Sequence, residues 1–209
     1  MFENFVIRYG SAVTARTAGT PWIEPQLERA RGYVAFARQF AGSTFARGLL
    51  RIHDAESGPV AAAFVDGAFP EYGGRLKPFA FDWLGRQFVL DEDQMRDGEP
   101  LVLLMEPGTG MGLEIPTTFA ELIDDELVES SDAALLDQFF EEWSDVNPGF
   151  LPLDFDQCAG YKVPLFLGGV DGVENLEVSN MDVYWSLTGQ LRVATRDLPP
   201  GVSISDIGA

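Results

Sequence analysis

Apolar residues recur along this chain at two spacings, and the switches between them divide it into elements. Phe2, Phe5, Val6 and Tyr9 fall three to four apart, which predicts a short opening helix ended near Gly10. After the polar loop SAVTARTAGT, Pro21 and Trp22 lead into a second helical stretch over 24–39. There Leu27, Ala30, Val34 and Phe40 follow the 3.6 period despite Gly32. STFARGLLRIHD alternates Phe45, Leu49 or Leu50 and Ile52 with polar positions and reads as one strand ending at Asp54. The small residues of 55–68 predict a helix or helical turn. Four β-rich runs follow, RLKPFAFDWLG, RQFVLD, PLVLLMEPGTG and GLEIP, and the Gly, Asp and Pro between them predict an antiparallel meander.

The helical period then returns. In TTFAELIDDELVE, Phe119, Leu122, Ile123 and Leu127 form an inner face, with Thr117 or Thr118 as N-cap. A further helix starts at Ser130–Ser131 and places Leu135, Leu136, Phe139, Phe140 and Trp143 on one stripe, with Asp137, Glu141, Glu142 and Asp145 outside. Asn147, Pro148 and Gly149 break it. CAGYKVPLFLGG is a mainly apolar segment closed by paired glycines. Ser179 or Asn180 then caps a last helix, MDVYWSLTGQLRVATRD, in which Val183, Leu187 and Leu191 recur every four residues until Pro199, Pro200 and Gly201 stop it.

These elements predict an α+β fold, an antiparallel sheet packed with several helices in a single compact domain. The expected divisions are an N-terminal helical extension over 1–44, the α+β domain over 45–200 and a tail over 201–209. The 209 residues, 46% hydrophobic with 16 Phe and 4 Trp, can bury a real core, which excludes a disordered chain. One cysteine, Cys158, excludes a disulfide framework. No run approaches the roughly 18 apolar residues of a membrane span, and the expected compartment is the cytoplasm.

Charge changes the picture most. The net charge is -19, from 33 acids against 14 basic residues. Residues 1–96 are balanced, whereas 97–161 hold 16 acids and no Lys or Arg. Binding to nucleic acid or to an anionic membrane surface is therefore not expected, because both need clustered cations. A regional acidic block serves either as a solvating face or as a surface complementary to a basic partner. The candidate docking acids are Asp124, Asp125, Glu126, Glu129, Asp137, Glu141, Glu142 and Asp145. Glu141, Glu142 and Asp145 approach a helix C-terminus, where the macrodipole disfavours negative charge, so local stability did not select them.

Catalytic signatures are few. Gly108, Gly110 and Gly112 follow the strand-like LVLLM, but the β-like LEIP comes next, so they predict a hairpin and no dinucleotide loop. Asp124, Asp125 and Glu126 fan around a helix and cannot grip one metal ion; Asp154 and Asp156 are better spaced but lack further ligands. His53 reads as a structural or surface histidine, and Cys158 as a small core residue. Trp83, Trp143, Tyr184 and Trp185 read as core. No catalytic residue, metal or cofactor is expected. Lys162, the only basic residue between Arg96 and Arg192, is expected to pair with an acid or a carbonyl in the acidic region. A ligand-binding or regulatory module with a pocket formed by Tyr161, Lys162, Tyr184 and Trp185 is the alternative reading.

Several segments carry a resemblance: FPEYGGRLKPFAFDWLGRQFVLD, EPLVLLMEPGTGMGLEIP, DAALLDQFFEEW and CAGYKVPLFLGGVDGVENLEVSNMDVYWSLTGQLR. From about Phe45 to Pro200 they resemble the C-terminal domain family of type VI secretion immunity proteins. The YKVPLFLGG and DVYW-x-x-x-GQL blocks are the most specific. The resemblance implies a non-enzymatic cytoplasmic protein that binds and neutralises a toxin or effector domain, in the best-known member a DNase. It brings no catalytic residues. Nuclease toxins commonly present a basic face, which an acidic inhibitor can occlude.

Overall fold

The computed structural model describes residues 2–10, 14–15 and 19–196. The expected stop at Pro199–Gly201, the tail over 201–209 and most of the loop over 11–20 lie outside the described residues. Among the described residues, seven strands form one antiparallel sheet in sequence order: β1 (Thr14–Ala15), β2 (Ser43–Phe45), β3 (Leu50–Ile52), β4 (Leu76–Asp82), β5 (Gln87–Arg96), β6 (Glu99–Glu106) and β7 (Met111–Thr118). A separate antiparallel pair joins β8 (Gln157–Tyr161) to β9 (Leu176–Asn180). The meander over β4–β7 and the α+β class are as the pattern predicts.

Unbroken apolar runs in β5 and β6 follow from burial on both faces of the sheet. Phe88, Leu90, Val102 and Leu104 point to one cluster, and Val89, Leu103 and Met105 to the other. The first cluster is covered by α1 (Glu3–Tyr9), α2 (Pro25–Glu28), α3 (Tyr33–Phe40) and the helices after β7; the second by α4 (Ser57–Ala68) and α9 (Met181–Thr195). Phe2, Phe5, Phe36 and Phe119 form an edge-to-face lattice in the first cluster, with centroids 5.2–5.8 Å apart. Residues before 45 thus contribute to the same core as the meander.

Three helical or strand expectations are corrected, each at a left-handed residue. The stretch over 24–39 is two helices, α2 and α3, because Gly32 adopts φ 86°. STFARGLLRIHD is a tight hairpin, β2 and β3, turning through Ala46, Arg47 and Gly48 with φ of 46°, 60° and 101°. The helix expected from Ser130 is broken at Leu136 (φ 53°, ψ 49°) into α7 (Ser131–Leu135) and α8 (Asp137–Val146). TTFAELIDDELVE is helical as expected, but as α5 (Phe119–Glu121), a π-helical turn over Leu122–Glu126 and α6 (Leu127–Glu129). Glu121 reaches back to accept a bond from the Thr118 amide at 2.8 Å.

The last helix is capped by Asn180, whose Oδ1 accepts from the Asp182 amide at 3.0 Å. Its buried face is Met181, Tyr184, Trp185, Thr188 and Gly189, whereas Val183 and Leu187 are exposed. The four-residue apolar recurrence therefore marks the outward side. Close approach explains the inward one: a Cβ at Gly189 would meet the Ala68 Cβ at 2.9 Å, so glycine lets α9 lie against α4.

Candidate functional site

The acidic helices are held from beneath by the turn between β4 and β5. Asp82 accepts from the Leu84 and Arg86 amides at 3.0 Å and pairs with Arg86 Nε at 2.6 Å. Burial pushes the Asp82 carboxyl up, against the opposing pull of Arg86. Arg86 donates onward to the Ala134 carbonyl at 3.0 Å, and Trp83 Nε1 to the Leu135 carbonyl at 2.9 Å. The Trp83 ring lies 5.2 Å from Phe140 and 5.8 Å from Trp143, both on the inner stripe of α8. Four anchors thus fix the α7–α8 joint, and α8 presents its outer face on a rigid support.

The eight candidate acids fall into two groups. Three are held within the molecule. Asp124 Oδ1 accepts from the backbone amides of Asn4 and Phe5, at 3.0 and 3.2 Å, and so caps the first turn of α1 from across the fold. Asp137 accepts from Ser131 Oγ at 2.5 Å and lies 3.6 Å from Arg8. Both carboxylate oxygens of Glu141 accept from Arg47 Nη2, at 2.8 and 2.9 Å. The other five, Asp125, Glu126, Glu129, Glu142 and Asp145, make no side-chain hydrogen bond or ion pair among the described residues, and all but the half-buried Glu126 are exposed.

Glu142 opens onto a cleft of about 450 Å³ between α8 and the turn over Val173–Asn175. Its apolar wall is Leu136, Phe139 and Val173; its other acids are Asp171 and Glu174. Asp171 is fixed by the Tyr161 hydroxyl at 2.6 Å, and burial, reinforced by that contact, pushes the phenol up. The loop behind the cleft is tied by Asn175, which receives the Val163 amide and donates to the Val163 and Val170 carbonyls at 2.8–3.0 Å. Beyond Asp145 the surface continues through Val146, 65% exposed, and Phe150, 54% exposed. An aromatic ring beside unpaired carboxylates gives an interface both an anchor and a sign.

Sequence reasoning had not singled out Asp171, Glu174, Val146 or Phe150. The first two stand in the short GVDGVEN segment, whose distance in sequence from α8 conceals their proximity. Arg8 and Arg47, the counter-ions of Asp137 and Glu141, come from the balanced N-terminal part.

Of the four residues of the alternative pocket, Tyr161 and Tyr184 are in contact, whereas Trp185 and Lys162 make their hydrogen bonds elsewhere. Tyr184 and Trp185 are buried; the Tyr184 hydroxyl accepts from the Tyr161 amide at 3.3 Å, and Trp185 Nε1 donates to the Gly85 carbonyl at 2.8 Å. Trp185 borders a groove of about 410 Å³ between α4 and α9, with Phe64, Gly67 and Val193. Lys162 is exposed and donates to the Glu174 carbonyl at 2.8 Å, a carbonyl outside the acidic stretch over 97–161 in which its partner was expected. Trp83 and Trp143 are core residues, as expected.

His53 is buried, and burial pushes its imidazole down to about 4, so the ring is neutral. Cys158 is a buried free thiol pushed up to about 12, chiefly by burial. The glycines after β6 form the β6–β7 hairpin. Among the described residues no group of three or more His, Cys, Asp or Glu could hold a metal ion, and no helix is long and apolar enough to cross a membrane.

Residues 133–192 match the family model described as "T6SS immunity protein Tdi1, C-terminal". The matched segment runs from α7 to α9 and contains α8 and the whole acidic cleft. A solved structure, described as "Crystal structure of Atu4351 from Agrobacterium tumefaciens", is similar in fold, with a TM-score of 0.60 at 18% identity. The likeness covers 91% of this chain and 89% of that one. No curated protein matches the sequence.

Proposed function

We propose that this protein is a type VI secretion immunity protein, non-enzymatic and cytoplasmic, which neutralises a cognate toxin by covering a basic face of it. The carrying observation is a coincidence in space: the segment that matches the immunity family presents two unpaired, exposed carboxylates, Glu142 and Asp145, on α8. Asp145 sits in the last turn of α8, where the helix dipole opposes it, so it lowers local stability, and a basic partner would reverse that cost. Asp125 and Glu129, on the preceding helical segment, add two further exposed carboxylates. Phe150 and Val146 supply the apolar contact that charge alone lacks.

A nuclease is the toxin class that fits this surface best, since a protein that binds phosphates must carry the cations these acids would meet. The test is association kinetics between the purified chain and its toxin at two salt concentrations. Charge reversal by Glu142→Lys and Asp145→Lys should slow association by about tenfold at low salt and flatten its salt dependence. Association that is unchanged at low salt would remove α8 from the interface.

A further inference from the structure

On the opposite side of the sheet from α8, a cavity of about 360 Å³ lies between the start of α4, the strands β4 and β5, and the start of α9. Its wall includes Phe64, Phe81 and Phe155, and its rim carries Asp156 and Asp182. It shares no residue with the acidic cleft.

The floor is polar and buried. His53 Nε2 is 2.8 Å from Gln87 Oε1, and His53 Nδ1 is 3.1 Å from Ser57 Oγ, which itself donates to Asp54 at 2.8 Å. The imidazole stacks on Phe81 at 4.7 Å. Gln87 is 1% exposed, yet its Nε2 has no hydrogen-bond partner. A buried amide left half satisfied costs on the order of 1–3 kcal/mol, and a water or another molecule that completes it removes that cost. Exchanging the amide oxygen and nitrogen would place an acceptor where that nitrogen stands and turn the nitrogen toward His53.

The chemistry of an occupant follows. Aromatic walls favour a flat ring, and the volume, near the lower end for ligand sites, fits one or two rings. Gln87 asks for an edge that both donates and accepts, which satisfies the amide in either orientation. Asp156 and Asp182 at the mouth repel anions. We infer that this cavity binds a small uncharged heteroaromatic amide or lactam, of the nucleobase or nicotinamide kind, through the Gln87 amide. The inference is independent of toxin binding.

The experiment is a titration of the full-length ¹⁵N-labelled chain with uracil, cytosine, hypoxanthine and nicotinamide, followed by amide NMR shifts. At least one probe should give saturable shifts at His53, Phe81, Gln87 and Phe155. The monophosphate of a bound base should bind about tenfold more weakly, because its charge meets the acidic rim. Gln87→Leu should weaken binding by about tenfold or more. Val60→Trp, at an exposed rim position 49% accessible, should block entry without touching the core, and it keeps the test decisive if the Gln87 variant does not fold. No saturable shift with any probe at about 10 mM, or full affinity retained in Val60→Trp, overturns the inference.

Discussion

Asp124 and Asp125 are neighbours with the same side chain, and the structure assigns them opposite consequences. Asp124 accepts two backbone amides of α1 across 120 residues of sequence, whereas Asp125 is exposed and unpartnered among the described residues. Asp124→Ala removes a helix cap, worth about 0.5–2 kcal/mol, and a carboxylate at the positive end of the α1 dipole, worth about 0.3–1 kcal/mol. Phe2, Phe5 and Tyr9 still anchor α1, and Tyr9 keeps its 2.6 Å bond to the Leu127 carbonyl, so the helix frays but does not detach. The expected loss is about 1.5 kcal/mol. For a chain of this length that lowers Tm by about 3–6 °C. Asp124→Asn retains an acceptor and should lose less than half as much. Asp125→Asn should stay within about 0.5 kcal/mol of the parent, and Asp145→Asn, which removes a charge from the unfavourable end of α8, should gain a few tenths. Thermal and urea melts followed by circular dichroism measure all four. Equal losses for Asp124→Ala and Asp125→Asn, or a Tm unchanged by Asp124→Ala, would refute the cap across the fold.

Acid should weaken the fold through His53. Burial holds its imidazole at about 4, against roughly 6.5 when unfolded, so between those values the unfolded chain binds the proton first. The contribution is fully present above about pH 6.5 and lost as pH falls toward 4, by on the order of 3 kcal/mol. Urea midpoints from pH 7 to 4 should show this slope, and His53→Asn should lack it. The buried Cys158 thiol should not react with a thiol reagent at pH 8 until urea unfolds the chain, whereupon one equivalent reacts.

Much of the fold is legible in the sequence because two periods describe most of it. The meander, the caps at Thr118 and Asn180 and the inner stripes of the acidic helices follow from local spacing. The breaks were hidden for different physical reasons. Gly32 could sit inside a helix or flank one, and with its left-handed backbone it stands as the N-cap of α3. Ala46, Arg47 and Leu136 occupy left-handed backbone that side chains rarely adopt, so nothing in their identity announces a turn. On α9 the recurring Val183 and Leu187 looked like a core stripe, whereas burial went to Tyr184, Trp185 and the small Gly189. The acidic block was plain from counting. Its division into structural and unpaired carboxylates was not, because Arg8, Arg47 and the α1 amides reach it from more than 90 residues away.

Protection of a living cell tests the central claim most directly. The chain is used to capture its toxin from its own source, and the toxin is then expressed in a sensitive host with the parent chain, with Glu142→Lys/Asp145→Lys, or with the pocket variant Val60→Trp. The account predicts that the parent and the pocket variant restore growth and that the charge-reversed variant, folded to the same Tm within a few degrees, does not. Growth lost equally with all three, or restored equally by all three, would contradict neutralisation through the acidic surface.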